Sequence, residues 1–435
     1  MYLAPMPTPS RSIDTAQAQG SATDEISSEE LAPRGGGSRA LFDRVEDFDA
    51  RLGLDATRLF PLDFSYTFLN HGSFGSTPHE VLAEQAWWRA EIEARPIELL
   101  GRKLPALLRD AAASVARFVG TDPDRLGFTV NATEGINGFL RSMQWSRGDE
   151  IVLLDQAYGA VRKSLLRLEH EFGIVVREAS VPLPVRAPAD FVHAVDAATS
   201  ARTRLVVIDH VTSPTALVVP VEEIVRRAKA RGVTTLVDGA HAPGSIALSI
   251  DSIGADAYAA NLHKWCCAPK GAAILVVSEA WRSRVHPLAT SHDYGRDFNA
   301  EFDWQGTRDP TAWLAAPAAL RFFARFGWSG VRARNQALAA WAQAALCDLW
   351  REEPISPLDG SMLASMAAIR VPEGVARLHA SAAEMQAWLY GSHRIEIPVI
   401  DWGGRLHVRV SAHLHTRPED ILRLGDVIRE AGRAS

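Results

Sequence analysis

Hydrophobic positions change their spacing several times along this chain, and the changes divide it. Over 41–54, "LFDRVEDFDARLGL" repeats apolar residues at helical intervals, and over 66–78, "YTFLNHGSFGSTP" reads as a short strand entering a glycine-rich loop. From 78 to about 120 the spacing of three and four returns in "EVLAEQAWWRAEIEA" and "LPALLRDAAASVARFVG", predicting helices. Seven short apolar runs follow: "LGFTV", "EIVLLD", "GIVVREASV", "RLVVIDHV", "TTLVDGA", "ADAYAAN" and "AAILVVS". Amphipathic stretches such as "AVRKSLLRLEHEF", "FVHAVDAATSA" and "PVEEIVRRAKARG" separate several of them. Near-continuous apolar strands alternating with helices predict an α/β fold, with a mostly parallel seven-stranded sheet covered on both faces. Beyond about 311 the pattern is mostly helical, with one late β run, "LHVRVSAH" (406–413), and a closing helix "PEDILRLGDVIREAG".

Four regions are therefore expected. Residues 1–38 form a polar arm too poor in large apolar groups to offset the entropy of ordering. Residues 39–77 form a segment that packs on a small domain and at the active-site entrance. Residues 78–310 form the large domain, and 311–435 a smaller α+β domain.

Composition narrows the partners. The 435 residues are 47% hydrophobic and 23% charged, with a net charge of −6 and mixed signs, so no basic face advertises nucleic acid. No run of about 20 apolar residues suggests a membrane span. The N-terminus does not read as a signal peptide. Three cysteines cannot form a disulfide framework, which fits a reducing cytoplasm.

Ligands of open α/β sheets gather at the carboxyl ends of strands, so the residues after each apolar run carry the chemistry. "NATEGIN" (131–137) offers a helix N-terminus suited to a phosphate, with Thr133 adding a hydroxyl, or a plain N-cap. Tyr158 could stack on a planar ring or belong to the core. His210, Thr212 and Ser213 follow the fourth run, and Asp238 closes the fifth, with His241 three residues on. Lys264 follows the sixth, inside "NLHKWCCAPKG". No dinucleotide fingerprint or P-loop is present. A lysine, a half-buried carboxylate, a stackable ring and a phosphate cup are together what pyridoxal 5′-phosphate requires. The rival reading is a metal site at His263, Cys266 and Cys267 with His286 or His292. Adjacent cysteines suit one tetrahedral centre poorly, and no metal is expected.

On "FLNHGSFGSTP", "NATEGINGFLRS", "YGAV" and "VDGAHAPG", the chain resembles fold-type I pyridoxal-phosphate enzymes of the class V aminotransferase group, in its isopenicillin N epimerase-like branch. The resemblance spans about 68–420. It implies that Lys264 forms the Schiff base, Asp238 pairs with the pyridine nitrogen and His241 lies near the ring oxygen. It further implies that Ala132, Thr133 and His263 hold the phosphate and that Tyr158 stacks on the ring. Arg409, in "VRVSAHLHT", would clamp the substrate carboxylate, with Asn70, His71 and Ser213 also at the substrate. Thr307, in "QGTRDPTAW", would reach the phosphate of a partner subunit, so a homodimer is expected. Two positions depart from the group's pattern, Leu414-His415-Thr416 after the Arg-x-Ser run and Arg95-Pro96 in the first long helical region, and both bear on substrate identity. No mobile catalytic cysteine loop of the desulfurase kind is visible. The expected reaction is α-proton removal followed by β-elimination from an S-substituted cysteine or cysteine conjugate in secondary metabolism. Epimerisation, with His210 or His241 as second acid, is the alternative. Transamination, decarboxylation, oxidative deamination and a non-catalytic sensor on the same scaffold are the remaining readings.

Overall fold

The computed structural model describes residues 38–52 and 56–434, so the arm expected over 1–38 lies outside the described residues except for Ser38, which opens a helix. The strand expected before the glycine-rich loop is β1 (Thr67–Phe68). All seven central apolar runs become strands: β2 (Leu126–Thr129), β3 (Glu150–Leu154), β4 (Val175–Ala179), β5 (Thr203–Asp209), β6 (Thr234–Asp238), β7 (Ala257–Asn261) and β8 (Ala273–Val277). They form one sheet in the order β2-β8-β7-β6-β5-β3-β4. β8 is antiparallel to both of its neighbours, while β7, β6, β5, β3 and β4 pair in parallel. The inner strands are buried almost throughout, because helices cover both faces and leave no solvent side for alternation. Edge strand β4 carries Arg177 and Glu178 outward, which blunts its open edge.

Downstream of 311, the late β run becomes β12, but it does not stand alone as the sequence pattern suggested. β9 (Met366–Arg370), β11 (Val399–Trp402) and β12 (Arg405–Ser411) form an antiparallel sheet in the order β11-β12-β9. Between them β10 (Ile395–Glu396) pairs in parallel with β1. The Ser411 N–H also donates to the Leu69 carbonyl at 3.0 Å, so the loop after β1 is tied to the end of β12. A second tie runs through buried Arg334, on the long helix Trp328–Trp350. Its guanidinium grips both Asp49 carboxylate oxygens at 2.8 Å and donates to the carbonyls of His413 and Thr416. No helix among the described residues is long and apolar enough to cross a membrane.

The tied loop reaches the carboxyl edge of the large sheet at Gly75. Its φ is +73°, and a Cβ there would lie 2.1 Å from the His263 carbonyl oxygen, one residue before Lys264. Both the left-handed backbone and the close approach demand glycine. Gly148, also at positive φ (+85°), has open space around it and isolates the backbone part of the cost. Gly148→Ala should cost about 1–2 kcal/mol, and Gly75→Ala clearly more, because backbone must also move. Urea unfolding of the two variants measures the difference, and equal costs would show that the collision is harmless.

Candidate active site

The carboxyl ends of β2, β3, β5, β6 and β7 converge on a cavity of about 320 Å³. Lys264, Asp238, His241, His263, Tyr158, Ala132, Thr133 and Ser213 all contribute to its wall. Parallel strands put their ends at one edge of the sheet, so residues more than 130 positions apart in sequence meet there.

The helix Ala132–Ser142 opens at this edge. Asn131 caps it by accepting from the Glu134 N–H at 2.8 Å, and the Ala132 N–H donates to the Asn261 side chain at 2.8 Å. The plain N-cap and the anion site are therefore not exclusive, since the helix end is both capped and exposed to the cavity. Tyr158 precedes the helix Gly159–Phe172 and is half exposed at the rim. His263 gives its Nδ1–H to the Ala272 carbonyl at 3.0 Å, which leaves Nε2 as its second hydrogen-bonding atom. Burial, with Lys264 adding, lowers its pKa to about 4. It would donate to a phosphate oxygen from Nε2 only as an imidazolium, a form that a nearby dianion favours.

Asp238 is buried at the end of β6, with Oδ1 accepting from the Ala240 N–H at 3.0 Å. Burial raises its pKa, opposed by that N–H and by Lys264. Lys264 Nζ lies 3.2 Å from His241 Nε2. Burial and then the Arg409 charge lower the lysine's pKa to about 7, against the pull of Asp238. His241 is pushed well below the usual imidazole range by burial, then by Lys264, Arg409 and His263. This is an amine whose charge is much easier to remove than an ordinary lysine's, beside an imidazole that burial keeps neutral.

Arg409, on β12, is almost fully buried, and its hydrogen-bond partners among the described residues include no carboxylate. Nη1 donates to the Ser213 carbonyl at 2.6 Å and to its hydroxyl at 3.1 Å, Nη2 reaches the Ser73 hydroxyl at 3.4 Å, and Nε has no partner. Burial lowers its pKa to about 10. Arg409 is not among the residues that line the cavity, although its neighbours Ser73 and Ser213 are; a guanidinium of this kind is suited to a carboxylate.

The structure does not bring every expected residue to the wall. From the loop at 70–75, Ser73 and Phe74 line the cavity. Asn70 sits behind them, donating to Glu396 at 2.8 Å and accepting from Ser73. His71 is fully buried under the lysine, with Nε2 at 3.0 Å from the Lys264 carbonyl and Nδ1 at 3.0 Å from His415 Nε2. Thr307 is exposed in the segment before the helix Thr311–Leu314 and lies outside this wall. His210 turns to the Tyr258 hydroxyl at 2.7 Å.

The residues of the rival metal reading do not converge as proposed. His263 is tied to Ala272, and His286 pairs with Glu301 at 2.8 Å. Cys267 instead meets His71 and His413, each at 3.5 Å. Among the described residues these three have donor atoms close enough to share an ion, yet His71 Nε2 already serves the Lys264 carbonyl, and hydrogen bonds account for the contacts. All three cysteines are buried, and burial pushes each thiol up, Cys347 to about 12.

Three residues escaped the sequence reading. Asp209 is the register partner of Asp238 across β5 and β6 and lines the same cavity. Burial and the Asp238 charge hold its carboxyl well above the usual range. Its signal, an acid closing an apolar strand, was the same one that marked Asp238. Asn261 closes β7 in the same way. Trp265 was given no role, yet its indole N–H donates to His241 Nδ1 at 3.3 Å.

The set fits pyridoxal phosphate on its own geometry: a buried amine of lowered pKa, a carboxyl, a rim tyrosine and a capped helix end face one cavity. Comparison with known proteins agrees. Residues 76–424 match the aminotransferase class-V family. The chain is 34% identical over 391 residues to isopenicillin N epimerase of Amycolatopsis lactamdurans, covering 86% of this chain and 96% of that one. It is 31% identical to a probable chloroplastic L-cysteine desulfhydrase of Arabidopsis thaliana, covering 84% and 83%. The solved structure of a C-DES variant, with glycine covalently linked to its PLP cofactor, superposes with a TM-score of 0.72 at 21% identity, covering 86% and 98%. The strand order, the strand-end residues and these matches converge: the chain belongs to the aminotransferase class-V family of pyridoxal-phosphate enzymes.

Proposed function

We propose that this enzyme removes the α-proton of an S-substituted cysteine or cysteine conjugate with Lys264 and releases the sulfur from Cβ. The observation that carries the reading is the Lys264 amine, buried and lowered to about 7 in part by the charge of Arg409, whose guanidinium has no carboxylate partner among the described residues. Bound pyridoxal phosphate supplies an electron sink that acidifies the α-carbon of an attached amino acid. Lys264 anchors that group at rest and is the base once the substrate has replaced it. Asp238 would hold a proton at the ring nitrogen, and His241 would serve the ring oxygen. Ala132 and Thr133 would receive the phosphate at the helix end, with His263 beside them, and Tyr158 would cover the ring. Arg409 takes the substrate carboxylate, with Ser213 and Ser73 fixing the guanidinium plane.

The proton balance is simple. Nζ takes the α-proton, the Cβ–S bond breaks with its electron pair on sulfur, and the proton passes from Nζ to the thiolate. A thiol leaves, and the remaining fragment hydrolyses to a 2-oxo acid and ammonia.

Two features favour elimination over epimerisation. His241 stands on the Lys264 side, 3.2 Å from Nζ, and His210 is turned to Tyr258, so neither suits protonation from the opposite face. The L-cysteine desulfhydrases among the relatives carry a C–S-cleaving name. The isopenicillin N epimerase relative keeps epimerisation as the second reading. The buried, protonated thiols argue against a persulfide-forming cysteine. The working form is proposed to be a homodimer, with the exposed Thr307 of each subunit directed to the other's phosphate.

The lysine reading has a pH signature. A lysine with a depressed pKa is neutral above it, so cofactor-free chain mixed with pyridoxal phosphate should gain visible absorbance at a rate that rises through about pH 7 and then levels. An ordinary lysine would keep accelerating towards its usual value of about 10.4. Lys264→Ala should give no such band.

For the reaction, purified enzyme and S-alkyl-L-cysteine should yield thiol and 2-oxo acid in equal amounts. Racemised substrate without oxo acid would reject elimination and favour the epimerase reading. Arg409→Lys should raise KM about tenfold or more while changing kcat less, since a point charge replaces a bidentate fork. A KM left at the wild-type value would remove Arg409 from the substrate.

A further inference from the structure

The geometry points to Trp265 as a positioning residue that fixes which nitrogen of His241 carries the proton, and so presents a permanent N–H donor to the Lys264 nitrogen. This rests on the reading of Lys264 as the cofactor-bearing lysine.

Indole nitrogen can only donate, so the 3.3 Å contact with His241 Nδ1 requires a lone pair on that atom. A neutral imidazole with its lone pair on Nδ1 has its hydrogen on Nε2, the atom 3.2 Å from Lys264 Nζ. An Nε2–H donor accommodates a neutral amine, which can accept, and opposes an ammonium, which has only hydrogens to offer. The hydrogen bond therefore runs from His241 to Lys264.

The surroundings keep His241 uncharged. It is buried, and the titratable and charged groups around it are Lys264 and His263 from the turn after β7 and Arg409 from β12. The carboxyls in the same wall are Asp238, three residues before it, and Asp209 from β5, which burial and the Asp238 charge hold well above the usual carboxyl range. Nor can the indole readily turn away. Trp265 is 1% exposed, with its ring stacked near His413 (6.2 Å between centroids, 19° between planes) and tilted against His71 at 5.2 Å. Reversing the His241 ring would put a C–H against the indole N–H and leave that donor unsatisfied in a dry interior, which is costly.

The consequence reaches beyond apoprotein. With the cofactor in place, the same Nε2–H still faces the lysine nitrogen or the oxygen next to it, and it disfavours protonation of that nitrogen. Removing the indole N–H frees the ring to take the other tautomer, whose Nε2 lone pair welcomes a proton on the lysine nitrogen.

The test is a pH titration of the visible band of the cofactor-loaded full chain. Trp265→Phe keeps an aromatic ring and deletes the N–H. Its titration midpoint should move upward by about one pH unit, a tenfold change in the protonation equilibrium. In a His241→Leu background the same substitution should move the midpoint by less than about 0.2 unit, since a residue acting through His241 has nothing left to act on. A folded Trp265→Phe with an unmoved midpoint, or an equal shift in both backgrounds, overturns the inference. If Trp265→Phe does not fold, benzothienylalanine at 265 replaces the N–H by sulfur with the shape kept, and the same shift is required. Failure is distinguishable from failure of the parent reading. A wild-type chain whose visible band survives Lys264→Ala would sink the lysine assignment, whereas an unmoved Trp265→Phe midpoint sinks only the tautomer lock.

Discussion

Desolvation of the Lys264 amine is the constraint that organises this molecule's chemistry. In water a lysine is charged at neutral pH and useless as a base. Here burial lowers it to about 7, and the nearby Arg409 charge adds to the effect. Holding a group in that state costs stability, because the charged form loses hydration without a full counter-ion. Asp238 returns part of the loss without restoring the amine to its ordinary pKa. The fold must supply the rest of the energy, and it does so with the apolar mass of a seven-stranded sheet buried on both faces.

Holding the amine in place takes a second layer beneath it. The Lys264 carbonyl accepts from the Cys267 N–H at 3.1 Å and from His71 Nε2 at 3.0 Å. Because His71 donates from Nε2, its Nδ1 must accept, and His415 Nε2 supplies that proton at 3.0 Å. Cys267 closes the turn at a φ of +55°, a left-handed conformation that non-glycine residues seldom adopt. Gly75 comes against the His263 carbonyl from the other side. The loop at 70–75 therefore fixes the lysine peptide through His71 and Gly75, and it reaches the cavity through Ser73 and Phe74. The departure at Leu414-His415-Thr416 also takes on meaning here, since His415 orients His71 and touches the lysine's support.

Legibility followed burial. Most of the seven sheet runs were plain in the sequence because strands covered on both faces are rich in Val, Ile and Leu, and alanine-rich β7 stood within the same alternation of strand and helix. The residues at their ends were legible for the same reason, since a polar group closing such a run stands out. β9 and β11 were missed: "MAAIR" lies outside that alternation, among helical stretches, and "VIDW" is only partly buried, so neither carries a strong period. Asp209 was missed although it carried the signal of Asp238, because its partner across the sheet, 29 positions away, is what makes it unusual. The roles of Trp265 and of the His71–Cys267–His413 contacts could not be read at all. They depend on which ring nitrogen faces which neighbour, and side-chain direction at a tertiary contact has no trace in periodicity. "HKWCC" drew attention through its cysteines, whereas the working neighbours of its lysine are the tryptophan and a histidine 23 positions upstream.

The choice among outcomes after proton removal turns on where the next proton comes from. An epimerase and desulfhydrases both share about a third of their residues with this chain, so shared scaffold features cannot decide between them. Epimerisation needs a donor on the face away from Lys264. In the wall, His241 stands with the lysine, and on the proposed reading Asp238 serves the ring nitrogen and His263 the phosphate. Asp209, whose carboxyl burial holds well above the usual range, accompanies Asp238 across adjacent strands rather than the lysine. The wall also holds Lys270 and the half-exposed Tyr158, which with solvent are the donors left to an epimerase. Elimination has no such need, because one base suffices: on the proposed reading Lys264 would take the proton from carbon and hand it to sulfur. An amine near neutrality is suited to both halves of that exchange, since it accepts and releases a proton with little bias at physiological pH.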